Sequence, residues 1–189
     1  MSKKLLIIIT ALVISNSARA GLSPISFGVK GGLGLGKLSQ EGISSDFKLN
    51  YLIGAGVDVG VGPVGALVDV LYAKRMYDGG SNTSISMNRL EIPVQGRFSM
   101  GLLRVQGGVF WAKTLGDMTF TDANGTDTSL APAAANSGTT DLGLVLGLGA
   151  TLPMLSLEAR YLFGTKNLST ATGVSTKTSS FEVLAGFWF

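Results

Sequence analysis

Cysteine and histidine are both missing from the 189 residues of this chain. Without histidine the sequence lacks the usual general base, the commonest metal ligand and the usual pH switch. Without cysteine no disulfide can brace the fold, so stability must come from another source, such as closure of a hydrogen-bonded sheet. Also missing, anywhere after Ala20, is an unbroken apolar run of the roughly 20 residues that a membrane-spanning helix needs. What the chain has instead is glycine, 27 residues of it, interleaved with apolar residues in a period of two.

The first 20 residues read as a secretory leader. Lys3-Lys4 is a basic start, Leu5 to Ile14 a short apolar core, and Ala18-Arg19-Ala20 a small-x-small cleavage signal. Residues 1–20 are therefore expected to be removed, leaving residues 21–189 as one domain. Lys3, Lys4 and Arg19 depart with the leader, so the fifteen basic residues become twelve against twelve acids. The basic balance belongs largely to the leader, and no nucleic-acid partner is implied.

Eight alternating segments follow. Ile25, Phe27, Val29, Leu33 and Leu35 oppose Ser26, Gly28, Lys30, Gly32 and Gly34. Phe47 to Val61 alternates in the same way, with Lys48, Asn50, Gly54, Gly56 and Asp58 on the second face. Ala66, Val68, Val70 and Tyr72 oppose Leu67, Asp69, Leu71 and Ala73, and Leu90 to Phe98 opposes Arg89, Glu91, Pro93, Gln95 and Arg97. Leu103, Val105, Val109 and Trp111 oppose Arg104, Gln106, Gly108 and Phe110. Leu142 to Ala150 opposes Asp141, Gly143, Val145, Gly147 and Gly149, and Leu155 to Phe163 opposes Ser156, Glu158, Arg160 and Gly164. In the last segment Phe181, Val183, Ala185, Phe187 and Phe189 oppose Ser180, Glu182 and Gly186. Each segment is a strand with different surroundings on its two sides.

Connections alternate as well. Residues 60–63, 99–101 and 152–154 make tight turns, whereas residues 37–46, 77–84, 115–138 and 165–176 are long and rich in Gly, Ser, Thr, Asn and Asp. Short turns at one end and long loops at the other, around an even number of strands, predict an all-β fold: an eight-stranded antiparallel up-and-down transmembrane β-barrel. A terminal strand that pairs with the first leaves no open edge.

Cost decides which face should meet lipid. A charge on the lipid face near the midplane costs on the order of 2 to 4 kcal/mol, so Lys48, Asp58, Asp69, Arg89, Glu91, Arg97, Arg104, Asp141, Glu158, Arg160 and Glu182 are expected to point inward. A soluble lipocalin-like barrel with an apolar lumen has the same alternation with the faces exchanged. Two aromatic girdles weigh against it. Tyr51, Tyr72, Trp111, Tyr161 and Phe163 fall toward the long loops, and Phe27, Phe98, Phe187 and Phe189 toward the short turns.

The segments Gly28-Val-Lys-Gly-Gly-Leu-Gly34, Leu90-Glu-Ile-Pro-Val94, Asp141-Leu-Gly-Leu-Val-Leu-Gly-Leu-Gly149 and Leu157-Glu-Ala-Arg-Tyr161 resemble the bacterial outer-membrane β-barrel family labelled porin-like or PorT-like. The overall shape is similar to the small OmpA and OmpX barrels. The resemblance covers essentially all of residues 21–189 and is architectural. It implies a Gram-negative outer-membrane location and, through PorT itself, a link to protein secretion.

Motifs with chemical meaning are few. Gly31-x4-Gly36-Lys37 has the letters of a phosphate-binding loop, but Leu38 replaces the magnesium-binding hydroxyl and the glycines lie in a strand pattern rather than before a helix. Gly60-Val-Gly-Pro-Val-Gly65 resembles a dinucleotide fingerprint, yet Pro63 makes it a turn. Asp117, Asp122, Asn124 and Asp127 offer calcium-type oxygens in an order unlike an EF-hand, around an Asn124-Gly125 turn signal. Asn82-Thr-Ser84, Asn124-Gly-Thr126 and Asn167-Leu-Ser169 spell glycosylation acceptors, here ordinary hydroxyl-rich loops.

Glu91, Glu158 and Glu182 with Arg89, Arg97, Arg104 and Arg160 read either as a reactive pocket or as a neutral plug, and the narrow lumen of eight strands favours the plug. The sequence thus predicts no catalytic, cofactor-binding or metal-binding residues and no cofactor. It predicts a non-enzymatic outer-membrane barrel, monomeric and embedded in lipid, that supports the envelope or meets surface or envelope protein partners through its loops. A narrow pore and a secretion accessory are the alternatives.

Overall fold

Alternation is carried into long strands, because apolar or aromatic groups on one side of the backbone and small or charged groups on the other suit a sheet with unlike surroundings. The computed structural model describes residues 25–40, 43–44, 47–80, 83–122, 124–131, 139–165 and 176–189. The strands are β1 (Ile25–Gln40), β2 (Ile43–Ser44), β3 (Lys48–Val61), β4 (Val64–Gly80), β5 (Thr83–Met100), β6 (Leu103–Thr121), β7 (Asp127–Leu130), β8 (Thr140–Thr151), β9 (Leu155–Gly164) and β10 (Thr176–Trp188). Two of these, β2 and β7, are short additions that pair with β1 and β6. The other eight run antiparallel in chain order, and β10 returns to pair with β1 from Gly28↔Trp188 to Gln40↔Thr176. The sheet is closed. Closure leaves none of the eight with an open edge, as a bilayer core requires.

Gly62 and Gly101 open two of the tight turns with φ of 61° and 64°. A left-handed first position followed by a right-handed second matches the twist of the flanking strands, and Pro63 after Gly62 supplies a fixed negative φ for that second position.

The long connections start later than their composition predicts. Residues 77–80 and 83–84 lie in β4 and β5, and residues 115–121 lie in β6. Residues 81–82, 132–138 and 166–175 fall outside the described set, as do residues 1–20, expected to be a leader. The physical reason for the longer strands is that period-two patterning persists with hydroxyls in place of aliphatics on the outer face. On the inner face Tyr77, Met87 and Met118 cluster with Ile85 and Phe120. Between Ser86 and Asn88 the register slips against β6, and Gly116 takes a φ of 69° in the resulting bulge. Such a bulge bends the wall and re-aims the strand.

The inside-outside question has a definite answer. Aliphatic groups cover the outer face, with Ile53 66%, Leu146 59% and Leu148 65% exposed. Lys30, Asp69, Arg89, Glu91, Arg104, Asp141, Glu158, Arg160 and Glu182 are all buried inside. A water-soluble barrel with an apolar lumen is the inverse of this arrangement. Lumen space unoccupied by charges is filled by Leu52, Leu71, Ala73 and Leu184 on one side and Phe110, Ala112, Val145 and Leu162 on another.

Candidate functional site

Glycine makes the lumen wide enough for the groups it holds. A methyl group at Gly28 would lie 2.7 Å from the Trp188 ring, and one at Gly149 would lie 3.0 Å from Arg104 Nε. Small residues on one strand thus face large ones on its neighbour, which is how a narrow barrel accommodates long side chains.

Into that space project six cations and six carboxylates, joined in a single unbranched chain in which the signs alternate. It begins near the loop end with Asp141, bound by Arg89 Nη2 at 2.9 Å. Arg89 also lies 3.8 Å from Glu91, which accepts from Arg75 Nη2 at 2.5 Å. Arg75 bridges onward to Glu182, and Glu182 accepts from Arg160 Nε at 2.5 Å. Arg160 reaches Asp69 at 3.3 Å, and Lys30 links Asp69 at 2.9 Å to Glu158 at 2.6 Å. Arg104 then connects Glu158 at 3.1 Å to Asp58 at 3.8 Å, and Arg97 closes the chain on Asp58 at 2.7 Å, near the tight turns.

Every interior member touches two opposite charges. Neutral donors and acceptors fill in around them: Thr178 Oγ1 donates to Asp141, Arg89 to the Tyr77 hydroxyl, Arg75 to Ser180 Oγ, Gln106 to Glu158 and Arg97 to Ser99. Taking so many charges out of water is expensive, and only mutual pairing with further hydrogen bonds compensates for it. The chain is accordingly balanced, buried through most of its length, and opens slightly to solvent only at Asp58 and Arg97, whose side chains are 14% and 15% exposed.

The structure brings together all seven residues of the pocket-or-plug set, Glu91, Glu158, Glu182, Arg89, Arg97, Arg104 and Arg160, and pairs each of them. Lys48 sits half-buried at the loop end of β3, apart from the chain. Three further participants were invisible to the segment-by-segment reading. Arg75, fully enclosed and bound to two carboxylates, follows Lys74, whose outward charge ends the apolar run at Tyr72. Carrying the parity of Leu67, Asp69, Leu71 and Ala73 two steps further would have found Arg75 and Tyr77. Trp188 points inward, donates from Nε1 to Ser156 Oγ at 2.8 Å, and lies under Lys30 Nζ, 5.2 Å from its ring centroid.

The other motifs become structural. Gly31, Gly36 and Lys37 lie within β1, with no helix after them. Gly60 to Gly65 forms the β3–β4 turn. Asp122 Oδ1 accepts from the backbone of Asn124 and Thr126, so it caps the turn in which Gly125 has a φ of 77°. Asp127 accepts from Thr121, and Asp117 stands apart in the β6 bulge. Asn82 and Asn167 lie outside the described residues. Among the described residues no group of three His, Cys, Asp or Glu is placed to hold a metal ion.

No family model matches the sequence, and no curated protein matches it. Solved structures do match in shape. Neisserial surface protein A superposes with a TM-score of 0.56 at 13% identity, over 88% of this chain and 98% of that one. Ail, the attachment invasion locus protein of Yersinia pestis, in complex with the heparin analogue sucrose octasulfate, gives a TM-score of 0.54 at 13% identity, over 88% of this chain and 100% of that one. A second structure of Ail gives 0.51 at 12% identity. At such identities the likeness is one of fold.

Proposed function

We infer that this closed eight-stranded barrel, with its aliphatic belt suited to lipid and a shape of the OmpA and OmpX kind, is seated in a Gram-negative outer membrane. From that premise, we propose that the protein is a non-enzymatic, non-conducting, monomeric barrel whose work is done outside its lumen, by supporting the envelope or presenting its loops to surface or envelope partners.

One observation carries this reading: the unbranched ion-pair chain that runs from Asp141 to Arg97 along the barrel interior. A conducting lumen needs sites an ion can occupy and leave. Here each charge of the chain is already matched by a neighbour. An acid–base catalyst needs a carboxylate or base with a free face toward a substrate, and the luminal carboxylates are held by arginine or lysine. What remains chemically available is the loop end, where β7 extends β6 into a hairpin at Asp127–Leu130.

Bilayer recording together with surface-binding assays tests the proposal. The refolded chain should show no steady single-channel current above leak, and replacing residues 122–138 with a short turn should abolish binding to surface or envelope partners while leaving a heat-modifiable barrel. A steady current altered by Arg104→Ala or Glu182→Ala would instead establish a pore.

A further inference from the structure

Strand parity sorts side chains to the inside or the outside, and among the described residues four lysines fall outside. Lys37, Lys74, Lys113 and Lys177 share the outward faces of β1, β4, β6 and β10, all toward the loop end. Lys37 lies over the Phe47 ring, 5.7 Å from its centroid. Lys74 and Lys113 are exposed and make no ion pair among the described residues, in contrast to the paired cations of the lumen.

Their neighbourhood is specific. Lys74 sits directly across from Asn88, and Lys113 directly across from Leu90, the next outward residue of β5. The two ammonium-bearing strands are separated by one strand, about 10 Å at the usual sheet spacing. Just toward the tight-turn end, the outward residues are Tyr72, Leu90, Ile92 and Trp111. Leu115 lies across from Asn88, and further toward the loop end come Met76, Ser86 and Thr119, then Asp78, Ser84 and Thr121, with Asp117 exposed in the β6 bulge. The outer face therefore changes from apolar and aromatic to largely polar just beyond Lys74, Asn88 and Lys113. On a membrane barrel that change marks the headgroup layer. Below it no carboxylate faces outward among the described residues.

We propose that Lys74, Asn88 and Lys113 form a binding site on the barrel's outer wall for the phosphate groups of a phosphorylated lipid in the loop-side leaflet, with Tyr72, Leu90 and Trp111 against the start of its acyl chains. Two ammonium groups without an ion pair among the described residues, Lys74 directly across from Asn88 and Lys113 diagonal to it, provide, with the amide, charge and hydrogen-bond donors at phosphate height. The apolar floor beneath them fixes the lipid's orientation. A free anion would lack that floor, so the occupant is lipid. The inference rests on the membrane seat proposed above and is independent of what the loops bind.

The test uses the full chain refolded in phosphatidylcholine nanodiscs doped with a bisphosphorylated glycolipid or with its dephosphorylated form, and retained lipid is counted by native mass spectrometry. Wild type should prefer the phosphorylated form. Each lysine near the surface contributes about five-fold, so Lys74→Gln with Lys113→Gln should lower retention about thirty-fold. The double arginine variant should keep most of it. Asn88→Glu, which places a carboxylate between the lysines, should lower retention without removing either cation. Equal retention of both lipids by wild type, or unchanged retention in both the double glutamine and the Asn88→Glu variants, overturns the site. Heat-modifiable mobility and silent bilayers in the same preparations would leave the barrel reading standing when that happens.

Discussion

Lys30 and Lys74 belong to the same barrel wall and are treated in opposite ways. Lys30 points inward and is gripped by Asp69 and Glu158 with the Trp188 ring alongside. Lys74 points outward and has no protein partner among the described residues. An inward charge has only protein around it, so the protein must supply its counter-charge. An outward charge at the headgroup level can take its counter-charge from the membrane. Pairing inside the barrel is thus a condition of folding, whereas the outer rim is free to interact.

The strongest way to break that comparison is to remove an interior cation. Arg75→Met strips Glu91 and Glu182 of a shared partner and should cost about 3 to 5 kcal/mol, the usual penalty for uncompensating a buried charge. Urea unfolding in lipid vesicles measures it. A loss under about 1 kcal/mol, the scale of an exposed pair, would mean that water reaches the lumen freely.

A smaller and sharper effect concerns the alternation itself. Deleting adjacent opposite members, Arg160→Met with Glu182→Leu, leaves Asp69 with Lys30 and Arg75 with Glu91. The double variant should be more stable than the sum of the two single losses by about 0.5 to 3 kcal/mol. Strict additivity would show that these charges do not act as a chain.

Next in size is the fit of small against large. Gly28→Ala brings a methyl into the Trp188 ring and should cost about 1 to 3 kcal/mol by overpacking, with a shift in Trp188 emission read against a Trp111→Phe background. Smallest of all is Lys74→Gln, expected to change stability by less than about 0.5 kcal/mol because it is exposed and breaks no protein contact. A large loss there would show that the outer lysines are structural, like the inner ones.

Much of the fold was legible because period-two patterning repeats in all eight segments, from Ile25-Ser-Phe-Gly-Val to Phe181-Glu-Val-Leu-Ala. The ends of the strands were less so. Thr83-Ser-Ile-Ser-Met and Met118-Thr-Phe-Thr have the composition of loops, but an adjacent ladder extends them at little cost once the sheet exists. Within the lumen, the inward charges could be read off by parity, and Arg75 escaped because its neighbour Lys74 interrupts the outward apolar set. Trp188 escaped for a related reason: an aromatic near a chain end suggests an interfacial anchor, although it shares the inward parity of Glu182 and Gly186 and has Gly28 opposite to leave it room.

By itself the sequence determined that there are eight strands, that each has one aliphatic face and one face of glycine and charge, and that the charges can balance. Alternation looks the same when inside and outside are exchanged, and it was the cost of charge against lipid, with the two aromatic girdles, that already turned the charged face inward. Tertiary structure alone decided which acid meets which base. Partner choice is set by closure, which brings Lys30 to Glu158 across 128 residues while Arg75 meets Glu91 across only 16.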